Sequence, residues 1–191
     1  IQQRDLPSWD SSRRVLGVIR PTVEAIDSLS ISKHIGVLGT SGTISSLSYT
    51  IEIEKMFPHI KVTGEACPMW VPLVENNEAS SPGADYFIQK HIEHILSIEP
   101  KIDTLILGCT HYPLLIDKIK NILPKGINIL SQGQYVAESL VDYLYRHPEM
   151  DKRLTRGGKR RFLTTESADK FSETASIFLQ AQIEVEQITI D

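Results

Sequence analysis

The chain has 191 residues, of which 41% are hydrophobic and 23% are charged. These values are typical of a folded globular protein and exclude a disordered or fibrous one. The net charge of −4, with a basic cluster only at 153–161, argues against nucleic acid or an anionic membrane as the main partner. The expected partner is therefore a small molecule. The longest apolar runs are far shorter than the ~20 residues of a membrane span, so we expect no membrane crossing.

The two cysteines, Cys67 and Cys109, could form one disulfide bridge. A chain of this size without a signal-like start fits a reducing cytoplasm better, because thiols are kept reduced there. We therefore predict two free thiols and a cytoplasmic location. The chain starts at Ile1 rather than at Met, and we expect that an N-terminal part of the natural protein is missing.

Short apolar runs rich in β-branched residues predict strands along the whole chain, at 15–19, 35–38, 60–63, 104–107, 127–130, 161–165 and 183–188. Helical patterns lie between most of them. Apolar side chains recur at helical spacing in 84–98, and in shorter or looser form in 136–144, 168–179 and 39–57. The irregular stretches 65–83 and 148–159 predict a functional loop and a solvated surface turn.

The alternation of strands and helices indicates an α/β fold, with a mostly parallel sheet between helices on both faces. The run 104–107 is almost continuously apolar, as expected of a parallel strand that is buried on both sides. In such sheets, ligands bind beyond the carboxyl ends of the strands. The turns that follow the strands are therefore where a site is expected.

The sharpest candidate is the sequence Gly-Cys-Thr-His-Tyr-Pro at 108–113, between the strand at 104–107 and a helix that Pro113 is expected to open. Cys109, Thr110 and His111 would lie in this strand-to-helix turn. The backbone N–H groups of a helix start favour negative charge, so a thiolate or a bound carboxylate is plausible there. A small buried cysteine beside a surface histidine is the alternative interpretation.

A similar turn has the sequence Gly-Thr-Ser-Gly-Thr-Ile at 39–44, after the strand at 35–38. Its hydroxyls, including those of Thr40 and Thr43, and its N–H groups could cradle an anion. It lacks the Lys of a P-loop and the third Gly of a dinucleotide fingerprint, and a simple helix-capping turn explains it equally well. The apolar segment 67–75 either lines a pocket, with Glu75 as its acid, or packs against the core.

A metal site is not expected. Cys109 and His111 offer two ligand types without a second pair, whereas a structural zinc ion needs four ligands. His91 and His94 lie on the helix predicted at 84–98, with His94 on its expected solvent face.

Several segments together carry a family resemblance. They are Gly-Val-Ile-Arg-Pro at 17–21, the motif at 39–44, the segment 67–75 and Gly-Cys-Thr-His-Tyr-Pro-Leu-Leu at 108–115. In this order and spacing the chain resembles the glutamate racemases of bacteria, in the cofactor-independent aspartate/glutamate racemase family. The similarity extends through almost the whole chain, although Ser131-Gln132-Gly133 stands where the family more often has Asp-Ser-Gly, which leaves the role of that turn open.

The resemblance implies two α/β domains related by pseudo-twofold symmetry, with glutamate in the cleft between them and one catalytic cysteine from each. Residues 22–130 would form one complete domain that carries Cys109. Residues 1–21 and 131–191 would be a remnant of the partner domain, whose own motifs, including the other cysteine, would precede residue 1. We therefore expect this chain to be inactive alone.

Racemisation removes a proton from one face of the α-carbon and returns one to the other face, which requires two opposed acid/base groups. The resemblance assigns Cys109 as one of these groups, with His111 as its catalytic neighbour that tunes the thiol or shuttles protons. The implied substrate-binding residues are Thr40, Thr43, Glu75, Thr110 and His111. Glu75 would help to orient His111 or the substrate ammonium group. The resemblance also implies no cofactor, a homodimer, and D-glutamate as a product that supplies peptidoglycan.

Two other functions stay open at this point. Cys109 and His111 could be the nucleophile and base of an acyl-transfer hydrolase, although no third, orienting group is evident beside them. The chain could also be a non-catalytic carboxylate-binding domain. Acyl-enzyme trapping would identify the first, and glutamate binding without α-proton exchange would identify the second.

Overall fold

The structure is a computed structural model that describes residues 5–10, 12–179 and 181–190. Its strands are β1 (His34–Gly39), β2 (Lys61–Ala66), β3 (Thr104–Leu107), β4 (Asn128–Ser131), β5 (Phe162–Thr164) and β6 (Val185–Gln187). Its helices are α1 (Leu6–Trp9), α2 (Ile19–Glu24), α3 (Ile26–Leu29), α4 (Ser41–Ser45), α5 (Ser48–Met56), α6 (Trp70–Glu75), α7 (Pro82–Ile98), α8 (Ile116–Ile122), α9 (Gln132–Arg146), α10 (Pro148–Asp151) and α11 (Ala168–Leu179), with a 3₁₀ turn at Tyr112–Leu115. Of the predicted partner-domain remnant, residues 1–4, 11, 180 and 191 lie outside the described residues.

The main sheet has four parallel strands in the order β2-β1-β3-β4. In its register, Leu38 of β1 pairs with Glu65 of β2 and with Leu107 of β3, and Leu107 in turn pairs with Ser131 of β4. All of β3 is buried, as its apolar sequence predicts. Because the strands are parallel, their carboxyl ends lie along one edge of the sheet.

The core consists of two clusters, one on each face of this sheet. Leu38, Leu105 and Leu107 point into the cluster that also holds side chains of α6, α7 and α8. Val37 and Ile106, their neighbours along β1 and β3, point into the cluster with α2 and α5. This alternation confirms the predicted α/β fold, with helices on both faces of a parallel sheet.

A second, small sheet is formed by β5 and β6, which are parallel, and α11 contacts both strands. Among the helices of the described residues, none is long and apolar enough to cross a membrane.

The predicted strands agree with the observed ones to within about three residues at each end, except at 15–19, where the prediction is wrong. Ile19 begins α2, while Val15, Leu16 and Val18 are exposed. A short apolar run does not distinguish a strand from the start of a helix, and Pro21 is tolerated in a first helical turn.

The predicted loop at 65–83 and the turn at 148–159 also need correction, because each contains a helix. In α6 the buried residues Trp70, Leu73 and Val74 follow the helical spacing i, i+3, i+4. The short helix α10 lies within the second stretch. Pro113 does not open an α-helix directly, because it is the second residue of the 3₁₀ turn and α8 begins only at Ile116.

Candidate active site

The turns after the four strands of the main sheet meet at its carboxyl edge. Thr40 follows β1, Cys67 follows β2, and Cys109 follows β3 after one glycine. Backbone hydrogen bonds join these turns, from Cys67 N to Gly39 O at 2.8 Å and from Gly108 N to Leu38 O at 2.8 Å. The topology therefore brings the two sequence-predicted turns side by side, as expected for the ends of neighbouring parallel strands.

Gly108 allows the turn before Cys109 to pack tightly. A Cβ atom at this position would lie 3.1 Å from the carbonyl oxygen of Leu38 and 3.2 Å from Cε2 of Tyr49. Both distances are shorter than ordinary van der Waals contacts. The close approach of backbone and ring explains why glycine precedes the cysteine.

Cys109, His111 and Glu75 form a connected line of side chains. The Cys109 sulfur lies 3.8 Å from Nδ1 of His111, and Nε2 of His111 lies 3.2 Å from Oε1 of Glu75. Glu75 reaches this position from the last residue of α6. When Nε2–H donates to Glu75, the opposite nitrogen is free to accept the thiol proton, which is the arrangement of an acid/base thiol site.

Glu75 contacts the imidazole, as the resemblance implied, and so supplies the orienting group that was not evident from the residues beside Cys109 and His111 alone. The site is partly open: the His111 side chain is 33% exposed and that of Glu75 59% exposed, while Cys109 is half-buried. Thr110 is exposed in the same turn. A substrate can therefore reach the thiol from the carboxyl edge of the sheet.

Thr40 and Thr43 form the N-terminal cap of α4. The Thr40 hydroxyl accepts a hydrogen bond from the backbone N–H of Thr43 at 3.2 Å, and the two hydroxyl oxygens are 3.0 Å apart. The helix-capping interpretation is thus correct for Thr40. Both hydroxyls also belong to the turn beside Gly108, since β1 and β3 are neighbours.

Cys67 lies at the same edge but is completely buried. Burial raises the pKa of its thiol, and the nearby Glu65 carboxylate raises it further. The backbone carbonyl of Cys67 accepts a hydrogen bond from the Tyr112 hydroxyl at 2.9 Å. Both cysteines are free thiols, as predicted, but only Cys109 is accessible.

His91 and His94 do not face the Cys109 turn. The Nδ1–H group of each imidazole donates a hydrogen bond, at 2.7 Å, to a different carboxylate oxygen of Glu65. In the part of the chain that the structure describes, no group of three or more His, Cys, Asp or Glu side chains is arranged to hold a metal ion.

Tyr49 and Gln132 also lie beside the Cys109 turn; the sequence analysis did not single out Tyr49, and it left the role of the segment that contains Gln132 open. The Gln132 side-chain amide donates to the Tyr49 hydroxyl. Burial raises the pKa of Tyr49 to about 12, with a smaller contribution from negative charge on Cys109. The signal that could have indicated Gln132 is its place in the Ser131-Gln132-Gly133 turn, where the chain departs from the pattern of the family it resembles.

A large open cavity of about 1070 Å³ lies elsewhere, between α2, α5 and α9. It is lined by residues such as Leu16, Glu52 and Tyr143 and by none of the sequence-predicted site residues. The cavity lacks a thiol or imidazole, so the chemistry that the sequence indicates belongs to the Cys109 turn and not to this space.

No protein-family model matches the chain. Its sequence is 37% identical over 176 residues to glutamate racemase of Streptococcus equi, in a match that covers 92% of this chain and 66% of the relative. Its structure is similar to that of a glutamate racemase isoform from Bacillus anthracis, with a TM-score of 0.83, 32% identity and coverage of 97% and 69% of the two chains. It is also similar to glutamate racemase of Francisella tularensis in complex with D-glutamate, with a TM-score of 0.77, 27% identity and coverage of 91% and 63%. The chain spans 66% of the length of the curated Streptococcus equi relative, slightly less than two thirds.

Proposed function

The chain belongs to the glutamate racemase family, and we propose that the whole protein interconverts L- and D-glutamate. The observation that carries this proposal is the line from Cys109 through His111 to Glu75 at the carboxyl edge of the sheet. The relative from Francisella tularensis binds D-glutamate, which supports glutamate as the substrate. Membership of the family favours racemisation over acyl transfer and over carboxylate binding without catalysis.

In the proposed reaction, Cys109 acts as an acid/base group on one face of the α-carbon. Its thiol proton passes to Nδ1 of His111, 3.8 Å away, while Glu75 stabilises the resulting imidazolium. The thiolate then takes the α-proton, and the electron pair of the broken C–H bond spreads into the α-carboxylate. An acid on the opposite face returns a proton to the α-carbon, so that charge and protons balance.

The substrate carboxylates require hydrogen-bond donors, because negative charge grows on the α-carboxylate in the transition state. Thr40, Thr43 and Thr110 offer hydroxyls in adjacent turns at the same edge of the sheet. We assign these residues, together with His111 and Glu75, to substrate binding. Glu75 is also placed to attract the substrate ammonium group.

The opposed acid is not Cys67. This thiol is buried, its pKa is raised, and its strand is separated from β3 by β1. Because the chain spans 66% of its curated relative, we propose that the remaining third of the whole protein supplies the second cysteine. The 191-residue chain should then lack racemase activity by itself.

We further propose that residues 22–130 are one complete domain and that 1–21 and 131–191 belong to the partner domain. Two observations support this division. The β5–β6 sheet has only two strands, fewer than an independent parallel sheet needs. On α9, Val141 and Tyr145 are exposed by 69% and 85%, which leaves an apolar surface for the rest of the whole protein to cover.

Membership of the family also supports a cellular role. We propose a cytoplasmic, homodimeric enzyme without a cofactor that supplies D-glutamate for peptidoglycan. Sedimentation of the whole protein would test the dimer, and depletion in the source cell with rescue by D-glutamate would test the role.

The test of the mechanism is Cys109→Ser in the whole protein. This change should abolish racemisation in both directions, since each direction uses both acid/base groups. Loss of HCl from a β-chloro glutamate analogue needs only proton abstraction, so one enantiomer should still react through the opposed group while the other is largely lost. His111→Ala should weaken the same enantiomer's reaction more. Equal loss for both enantiomers in folded protein would contradict a face-specific role for Cys109.

An assay of the chain by itself tests whether the second acid/base group lies outside this sequence. The purified 191-residue chain should show no conversion of L-glutamate in a coupled D-glutamate assay at high protein concentration. Turnover near that of an ordinary enzyme would refute the proposal that the second acid/base group lies outside this sequence.

A further inference from the structure

The turn that carries Cys109 rests on a buried tyrosine ring. Tyr49, in the first turn of α5, is 3% exposed and belongs to the core cluster on its face of the sheet. Its Cε2 atom would be 3.2 Å from a Cβ at Gly108, the residue directly before Cys109. The ring therefore limits where the backbone of this turn can move.

Tyr49 is itself held in place by a hydrogen bond from another element. Gln132 follows β4, the strand next to β3, and its side-chain amide donates a hydrogen bond to the Tyr49 hydroxyl. This bond joins α5 to the start of α9 across 83 positions of sequence. The bond also assigns a structural role to the segment Ser131-Gln132-Gly133, where β4 passes into α9. The proposed mechanism does not use this segment.

We propose that Tyr49 and Gln132 form a positioning pair that fixes the Gly108–Cys109 turn so that the thiol faces His111. The proposal rests on the proposed function only in that Cys109 is the reacting thiol. Neither residue needs to touch the substrate. Their action is through the backbone of Gly108.

The Cys109–His111 separation explains why such a support matters. At 3.8 Å, the sulfur and Nδ1 are near the long limit for a hydrogen bond that involves sulfur. A further displacement of the turn would separate the two groups, and a misplacement of about 1 Å can lower a rate by about 100-fold.

The protonation state of Tyr49 suits this role. A phenol with the ordinary pKa of about 10 is already neutral at physiological pH, and burial raises the pKa of Tyr49 further, to about 12. It can therefore lie near Cys109 without adding a negative charge that would oppose thiolate formation. It also keeps its O–H group while its oxygen accepts from Gln132.

The test is a double-mutant cycle in the 191-residue chain, read by iodoacetamide labelling of Cys109 between pH 6 and 9. His111→Ala should slow labelling when Tyr49 and Gln132 are intact. In Tyr49→Phe, and separately in Gln132→Leu, the effect of His111→Ala should shrink by about threefold or more. Ile53→Val, one helical turn further along α5 and also buried, is the control that loosens the core without this hydrogen bond.

A merely structural role would lower thermal stability without changing the dependence on His111. The proposal is overturned if the effect of His111→Ala is unchanged in both folded variants, if Ile53→Val shrinks it equally, or if the original chain shows no such effect. In the whole protein, both variants should lower kcat about tenfold with KM nearly unchanged. A whole protein without racemase activity would refute the proposed function, while the labelling cycle would still decide the positioning role.

Discussion

Replacement of Gly108 by alanine should have two effects: it should destabilise the fold, and it should disturb the turn that carries Cys109. The new Cβ would lie 3.1 Å from the Leu38 carbonyl oxygen, 3.2 Å from the Tyr49 ring and 3.4 Å from Cγ1 of Val37. The carbonyl is part of β1 and accepts the Gly108 N–H at 2.8 Å, so it cannot retreat without breaking that bond. The strain is therefore relieved by a shift of the Gly108–Cys109 backbone away from β1, which weakens this hydrogen bond and displaces Cys109.

The size of the effect follows from two opposing contributions. Overpacking of this kind costs about 1–3 kcal/mol in the free energy of unfolding. Alanine also restricts the unfolded chain, which returns about 0.4–1 kcal/mol. A net loss of about 1–2 kcal/mol lowers the Tm by about 2–8 °C in a protein of this length.

Thermal unfolding followed by circular dichroism measures this loss, with Gly133→Ala as the matched control. Gly133 lies in the first turn of α9 and has nothing within 4 Å of an added Cβ, so alanine there should be neutral or stabilising by up to about 1 kcal/mol. A Gly108→Ala chain as stable as the original, beside a control that behaves as expected, would refute the tight packing of the Cys109 turn.

Two further predictions concern titratable groups. Cys109 should be alkylated at least about tenfold faster than Cys67 at neutral pH, because Cys67 is buried and its pKa is raised; equal labelling rates by peptide mass spectrometry would contradict this. At Asp103, burial acts to raise the carboxyl pKa, but hydrogen bonds led by the Ser32 N–H outweigh it and lower the pKa. This carboxylate therefore stabilises the fold above its unfolded pKa of about 3.9, and the stabilisation is lost as pH falls through the lower folded pKa. Urea unfolding of Asp103→Asn should show lower stability at pH 7 and a flatter decline in acid.

The main sheet could be predicted because its strands have a strong local signal. The run at 104–107 is apolar except for Thr104, and the structure buries all of β3. The run at 15–19 has similar composition but no neighbouring strand in the described residues, and Val15, Leu16 and Val18 are exposed instead. Composition alone does not reveal whether a partner strand is present.

The candidate site could be predicted only as far as local sequence reaches. Parallel strands end at one edge, so the turns that contain Thr40 and Cys109 could be expected at the same edge. Their adjacency comes from the strand order, in which β1 and β3 are neighbours. The contact between His111 and Glu75 spans 36 positions and depends on α6, which local patterns did not predict, so only the family resemblance suggested it. The Tyr49–Gln132 bond spans 83 positions and depends on the packing of α5 against the sheet.

The two cysteines show that neither residue type nor a position directly after a parallel strand decides the reactivity of a thiol. Each follows a parallel strand at the same edge, and each is a free thiol. Cys67 is enclosed in the core beside Trp70 and Tyr112, whose rings contact edge to face with centroids 4.8 Å apart. Cys109 lies only partly against that cluster, with an imidazole 3.8 Å from its sulfur. Helix α6 contributes to this difference at both ends: its first residue, Trp70, belongs to the same buried cluster as Cys67, and its last residue, Glu75, contacts the histidine beside Cys109.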